Sequence, residues 1–284
     1  MILSMSKQPE FGDGSDDPYE LVQRLTNLPD DCAPEIAASS LKYLLSNDHR
    51  LRNSYLGAVQ DMPSPSPGKQ GLAIIVGNGA IETASQLLLL PGEGGEAGQF
   101  SVLPIIVCDR KRPALLGQKA LRRTLLDLPT PAGYLSQIQA LVDGGSPAAP
   151  VDIGVEYEFQ KNAWNGASPE QPPKHFLTDQ AAYNSAQQGA RGPIGYWQVD
   201  LSNEKEVAAF GKAIRDVNGE ALVANLSNAF TDSWMQRRLR QAVANLVRHV
   251  PFPPEAVIIS AVSENSPLSE AQSITKWRRY TVRC

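Results

Sequence analysis

Histidine and cysteine are scarce: three of each in 284 residues, the cysteines at Cys32, Cys108 and Cys284 without a Cys-x-x-Cys pair. An odd, widely separated set predicts no disulfide framework, and His49, His175 and His249 add no zinc-ligand spacing, so no metal site is expected. Reduced, cytoplasmic conditions fit this usage, although export without a cleavable signal would leave the same trace. No apolar run approaches the roughly 20 residues that span a bilayer, and the opening MILSMSKQPE has no charged stretch leading into a long apolar one. A soluble chain without a membrane partner is expected.

Reaction motifs are missing too. There is no GxSxG elbow for serine hydrolysis, no HExxH for that type of metalloprotease and no GxxxxGK[ST] phosphate loop. Charge of one sign is also lacking. The formal net charge is -4, which gives no overall attraction to an anionic membrane and makes a nucleic-acid partner unexpected, while leaving room for local basic patches.

Apolar residues make up 42% of the chain, enough over this length for one large core. The start KQPEFGDGSDD is polar and predicts a mobile tail. Three helical patterns follow, PYELVQRLTNL, APEIAASSLKYLLS and HRLRNSYLGAVQ, with apolar residues three and four apart. DMPSPSPGKQG at 61–71 breaks them, because its prolines and glycines cannot continue a helix. The expected division is a tail plus helical segment over 1–62 and a second unit over 63–284.

In that second unit apolar strings alternate with helical ones, the mark of βαβ units and a mostly parallel sheet. Five strands are predicted at 71–77, 101–109, 195–201, 220–226 and 255–263. Helices are predicted at ETASQLLLL, RPALLGQKALRRTLLDL, EKEVAAFGKAIRDV and DSWMQRRLRQAVANLVRHV, and KWRRYTVRC alternates like an antiparallel edge strand. Residues 127–194 break the rhythm with one helix, AGYLSQIQALVDG, a possible strand VDIGVEYEF, and proline- and glycine-rich text. They read as an insertion, either a functional lid or a surface excursion.

Gly77 and Gly79 fall where the first strand meets its helix, the position at which open α/β sheets bind ligands. A tight turn needing positive φ is the structural alternative. A dinucleotide fingerprint would place a third glycine where Glu82 stands, and a carboxylate there repels a pyrophosphate. The turn therefore suits a nucleoside without phosphates. Asp109, ending the second strand, is placed to accept from both hydroxyls of a ribose, or to cap the helix that begins near Pro113. Asp200, after the third strand, is placed to accept from an adenine amino group, with Ser202 or Asn203 capping the next helix. Asn225, Ser227 and Asn228 end the fourth strand at the central crevice, or form a cap and turn.

This order of parts resembles the class I S-adenosylmethionine-dependent methyltransferases: VGNGAIE after strand one, Asp109, Asp200, NLSN after strand four and a late RRYTV edge. The resemblance spans 71–284 and is one of architecture. It implies a Rossmann-like doubly wound sheet with N-terminal helices and S-adenosylmethionine as cofactor. Gly77 and Gly79 would then approach the methionine part, Asp109 the ribose, and Asp200 with Leu201 the adenine, while Asn225 and Asn228 would face an unidentified small-molecule or protein substrate. Two rivals remain: an NAD(P)-dependent oxidoreductase, which Glu82 opposes, and a methyltransferase-shaped binding module without turnover.

Two basic runs, DRKRPALLGQKALRR and MQRRLRQ, either are solvated helix faces or, if they adjoin, dock an acidic protein or an RNA backbone. Tyr196, Trp197, Phe230 and Trp234 flank strand ends and read as core, or as stacking partners for a ring.

Overall fold

The computed structural model describes residues 17–28, 63–76, 103–145, 177, 179–226, 236–265 and 273–281. The glycine turn at 77–79, the helical patterns at 33–60 and 82–90, the possible strand at 151–159, and Ser227, Asn228, Phe230 and Trp234 lie outside them.

Among the described residues six strands form one sheet: β1 Gln70–Val76, β2 Ile105–Asp109, β3 Ile194–Gln198, β4 Gly219–Asn225, β5 Val257–Asn265 and β6 Ser273–Thr281, in the order β3-β2-β1-β4-β5-β6. The first five pair parallel and β6 pairs antiparallel with β5. The chain steps outward from β1 through β2 to β3, then returns to lay β4 on the other side of β1. The strand order reverses there, and the carboxyl ends of β1 and β4 flank the switch point of a doubly wound, Rossmann-like sheet.

Both faces are covered, which is why β1 reads as an unbroken apolar string. Leu72, Ile74 and Val76 pack with Ile106 against α1 (Pro18–Arg24), α5 (Glu204–Asp216) and α6 (Gln236–His249), meeting Leu21, Val207, Phe210, Leu239 and Leu246. The alternate residues Ala73 and Ile75 pack with Val107 and Val223 against Leu115 and Leu116 of α2 (Arg112–Asp127). Strand alternation assigns each side chain to one layer. No helix among the described residues is long and apolar enough to cross a membrane.

Pro18 opens α1 and the Asp17 carboxylate accepts the Tyr19 N–H at 3.0 Å. Leu21 and Leu25 are fully buried, and the next two residues close the open edge of β3. Thr26 Oγ1 accepts the Tyr196 N–H at 3.2 Å, and the Asn27 N–H donates to the Tyr196 carbonyl at 3.1 Å. The Asn27 side chain exchanges hydrogen bonds with the Gln198 backbone at 2.7 and 3.3 Å. An edge satisfied in this way offers no template for another strand. Gly195 permits the approach, since a Cβ there would sit 2.8 Å from the Val22 carbonyl.

Between β2 and β3 lie α2, α3 (Pro131–Gly145) and α4 (Gln180–Ala190). Helix α4 falls in the stretch read from sequence as irregular, and that reading is corrected. Its face carries one large apolar residue, Tyr183, among Ala, Gly and Gln, so its hydrophobic period is weak. It forms because Asp179 caps Ala182 N at 2.8 Å and because its polar groups close the end of α2. Tyr183 Oη donates to the Leu128 carbonyl at 2.9 Å, and Gln187 Nε2 donates to those of Leu125 and Leu128 at 2.8 and 2.7 Å. Arg122 donates to the carbonyls of Ala190, Gly192 and Ile194 at 2.7, 2.9 and 3.2 Å. One cation of the first basic run thus caps α4 and steers the chain into β3.

Candidate cofactor site

Strand register fixes where the carboxyl ends lie. Val76 is level with Cys108, Asp109 with Gln198, and Asn225 with Ile75. Past the end of β3 the Val199 N–H donates to the Asp109 carbonyl at 3.0 Å, so pairing continues one residue further. Asp109 and Asp200 therefore stand on adjoining, hydrogen-bonded backbone, one step apart along the carboxyl edge.

Asp109 Oδ1 accepts the Lys111 N–H at 2.7 Å. This is an Asx-type turn ahead of α2; the cap position itself belongs to Lys111, which makes no side-chain cap bond. Burial pushes the Asp109 carboxyl above its ordinary value, and the Lys111 amide and the charges of Lys111 and Arg110 offset only part of the rise. Cys108 beside it is fully buried, its thiol raised by desolvation and then by the Asp109 charge, and is inert at neutral pH.

Asp200 has the opposite balance. Burial alone would raise it, but hydrogen bonds from Ser202 and the charges of Arg238 and Arg110 hold it below the ordinary carboxylate value. Its Oδ1 accepts the Ser202 N–H at 2.9 Å and the Ser202 hydroxyl at 2.6 Å. Glu206 braces the turn from α5: its Oε2 accepts the Asp200 N–H at 2.7 Å and its Oε1 accepts from Asn203 Nδ2 at 2.6 Å. Of the two expected caps, Asn203 is the one used, accepting the Lys205 N–H at 3.2 Å.

The side chain of Leu201 is 3% exposed and belongs to the core, so only its backbone is left to face a ligand. Even its carbonyl is taken, by Asn245 Nδ2 at 2.9 Å. Asn225 is buried at the end of β4, between Ile75 and Ile259. Tyr196 is core, and Trp197 stacks obliquely on Phe210 with ring centres 5.4 Å apart.

Two residues that sequence reasoning passed over organise this edge. Gln198 Nε2 donates to the Arg110 carbonyl at 3.2 Å, tying the β2 turn to β3. Asn245 ties the Asp200 turn to α6. A fully buried asparagine between Ala242 and Leu246, on the apolar stripe of an amphipathic helix, was the available signal.

No family model matches the chain, and no curated protein does. Among solved structures it is similar to two of the rRNA methyltransferase aviRa from Streptomyces viridochromogenes. One is 16% identical, covers 92% of this chain and 92% of that one, and has a TM-score of 0.42. The other is 15% identical, with 89% and 94% covered and a TM-score of 0.39.

Proposed function

We propose that this chain binds S-adenosylmethionine across the carboxyl ends of β1, β2 and β3 and transfers its methyl group. The observation that carries the reading is the placement of Asp109 and Asp200 on hydrogen-bonded backbone at the carboxyl ends of β2 and β3, on one side of the switch point between β1 and β4. In this reading Asp109 accepts from the ribose hydroxyls, and the locked turn of Asp200 and Leu201 lies along the adenine. The acceptor set fits a nucleoside: two carboxylates at neighbouring strand ends accept from neutral hydroxyl and amino groups and repel a pyrophosphate. Gly77 and Gly79 take the methionine part and Asn228 faces the acceptor, while the buried side chain of Asn225 does not.

When bound, the cofactor supplies a methyl group on a positively charged sulfur. The protein's task is then to align acceptor, methyl and sulfur and to exclude water, which needs no strong catalytic acid. The preorganised Asp200 turn, held by Ser202, Glu206 and Asn245, suits that task.

Calorimetry of the full chain with S-adenosylmethionine and S-adenosylhomocysteine tests the reading. Saturable heat with both supports it; no heat at millimolar ligand overturns it. A second reading, a binding module without turnover, is favoured by the burial of Asn225 and by the double use of Asp200 Oδ1. Stable capture of a partner, unaffected by cofactor or by Asp109→Ala, would select it.

A further inference from the structure

The two basic runs meet at the same edge. Arg110 and Lys111 follow β2 directly and are exposed; Arg237 is exposed and Arg238 half-buried at the start of α6. Asp200 lies within the field of both Arg110 and Arg238, so cations from opposite faces of the sheet flank one turn. Gln198 fixes the Arg110 side through its carbonyl and Asn245 fixes α6 through Leu201. The rim is built on braced backbone.

Arg110 and Lys111 offset part of the rise at Asp109, and Arg110 and Arg238 help to lower Asp200, but these charges do not serve the helices they stand beside. A helix favours anions in its first turn and cations in its last, and α1 and α5 obey, with Glu20 and with Glu204 and Glu206. Helix α2 has no acidic residue in its first turn, and Lys111 and Arg112 stand at its N-terminal end instead. The ion pairs among the described residues, Arg123–Asp127, Lys212–Asp216 and Glu204 with Arg248 and His249, use none of the four rim cations. Four cations set against the two carboxylates Asp109 and Asp200, and closing no ion pair among the described residues, leave positive charge over for an anion from outside the chain.

We propose that Arg110, Lys111, Arg237 and Arg238 form a phosphate-binding rim that takes the sugar-phosphate backbone of a nucleic-acid strand across the carboxyl edge of the sheet. Three of the four are arginines, whose planar fork matches phosphate oxygens two at a time. One pair follows β2 and the other lies at the described start of α6, and Arg110 and Arg238 both reach Asp200, so the ligand must carry more than one anion along this edge. A nucleotide chain does so at every residue, whereas an acidic peptide does so only in a particular sequence. That the docked strand is also the methyl acceptor rests on the function proposed above; the docking does not.

The test is fluorescence anisotropy of the full chain with labelled single strands of RNA and of DNA, on the order of 20 nucleotides, longer than the ~4–16 that one small domain typically covers. Poly-glutamate serves as competitor. Binding that weakens steeply between about 50 and about 200 mM salt is expected. The double variant Lys111→Glu with Arg237→Glu should weaken it at least about 10-fold and flatten the log–log salt slope by about 1.4, two single-strand contacts' worth. Both positions are exposed, so the melting temperature should hold; the milder Lys111→Gln with Arg237→Gln should give the same slope change. Preference for RNA over DNA would add a contact to the 2′-hydroxyl, and equal binding would leave the backbone as the whole epitope; both support the rim.

No binding at low salt, an unchanged slope in both variants, or displacement of the strand by poly-glutamate at equal charge overturns it, the last in favour of an acidic protein. Strand binding without cofactor heat would sink methyl transfer and leave the rim standing; cofactor heat without strand binding would do the reverse.

Discussion

Asn245 Nδ2, fully buried in α6, donates to the main-chain carbonyl of Leu201 at 2.9 Å, while its Oδ1 accepts from Gln241 Nε2 at 2.8 Å. One side chain thereby spans from a helix to the turn that follows β3. Replacing it with leucine keeps the branched skeleton and leaves the Leu201 carbonyl buried without that donor, at a cost of about 1–3 kcal/mol. The expected result in urea unfolding is a lower midpoint with an unchanged slope. If the turn is the adenine-facing one, cofactor affinity falls further than the Gln241→Ala variant lowers it.

Asp109 and Asp200 should respond to charge removal with opposite signs. The Asp109 carboxyl is raised above its ordinary 3.8, so the folded state holds the proton more tightly than the unfolded one. Stability linked to that proton is complete below 3.8 and lost as pH rises through the folded value. Asp109→Asn keeps an oxygen for the Lys111 amide and removes the charge. Its melting temperature at pH 7 should exceed that of the parent, with the gain vanishing in acid.

Asp200 is held below its ordinary 3.8. The stability its charge contributes is present above that value and lost as pH falls towards the depressed folded one. Asp200→Asn should therefore melt lower at pH 7, the gap closing in acid. Thermal scans of both variants across pH decide this; shifts of one sign in both would refute the assigned environments.

Asp109→Ala should weaken S-adenosylmethionine and S-adenosylhomocysteine alike by about 10- to 100-fold, the worth of a charge-assisted hydrogen-bond pair at about 1.5–3 kcal/mol. Unchanged calorimetric affinity would remove the ribose assignment. A variant that melts higher and binds worse would identify a carboxylate kept for its ligand at the expense of the fold.

Gly211 lies in α5 where it crosses α6, and a Cβ there would overlap the His249 carbonyl. That same carbonyl accepts from Arg215 Nη1, so it cannot swing away freely. Gly211→Ala should destabilise the chain by about 1–3 kcal/mol through overpacking, measured by denaturant unfolding. A neutral result would mean that the two helices slide apart without penalty.

The sheet was legible because burial on both faces demands apolar strings, and those strings carry their own punctuation. Gln70–Val76 against the expected 71–77 and Gly219–Asn225 against 220–226 differ by one residue. β2 is shorter than expected because Pro104 has no N–H to give to a ladder; its carbonyl instead accepts the Ala73 N–H at 2.8 Å. Helix α4 was hidden because its reason for existing is polar: carbonyls at the end of α2 that need donors.

Local composition determined which strings become strands, which turns cap helices, and that acids stand at Asp109 and Asp200. Only the tertiary structure decided what those acids are. Desolvation raises one, while a hydroxyl, an amide and two distant arginines lower the other. A net charge of -4 is an average over the chain, but a field depends on distance. Bringing Arg110 and Arg238, 128 positions apart in sequence, to opposite flanks of one turn is the work of the crossover between β3 and β4.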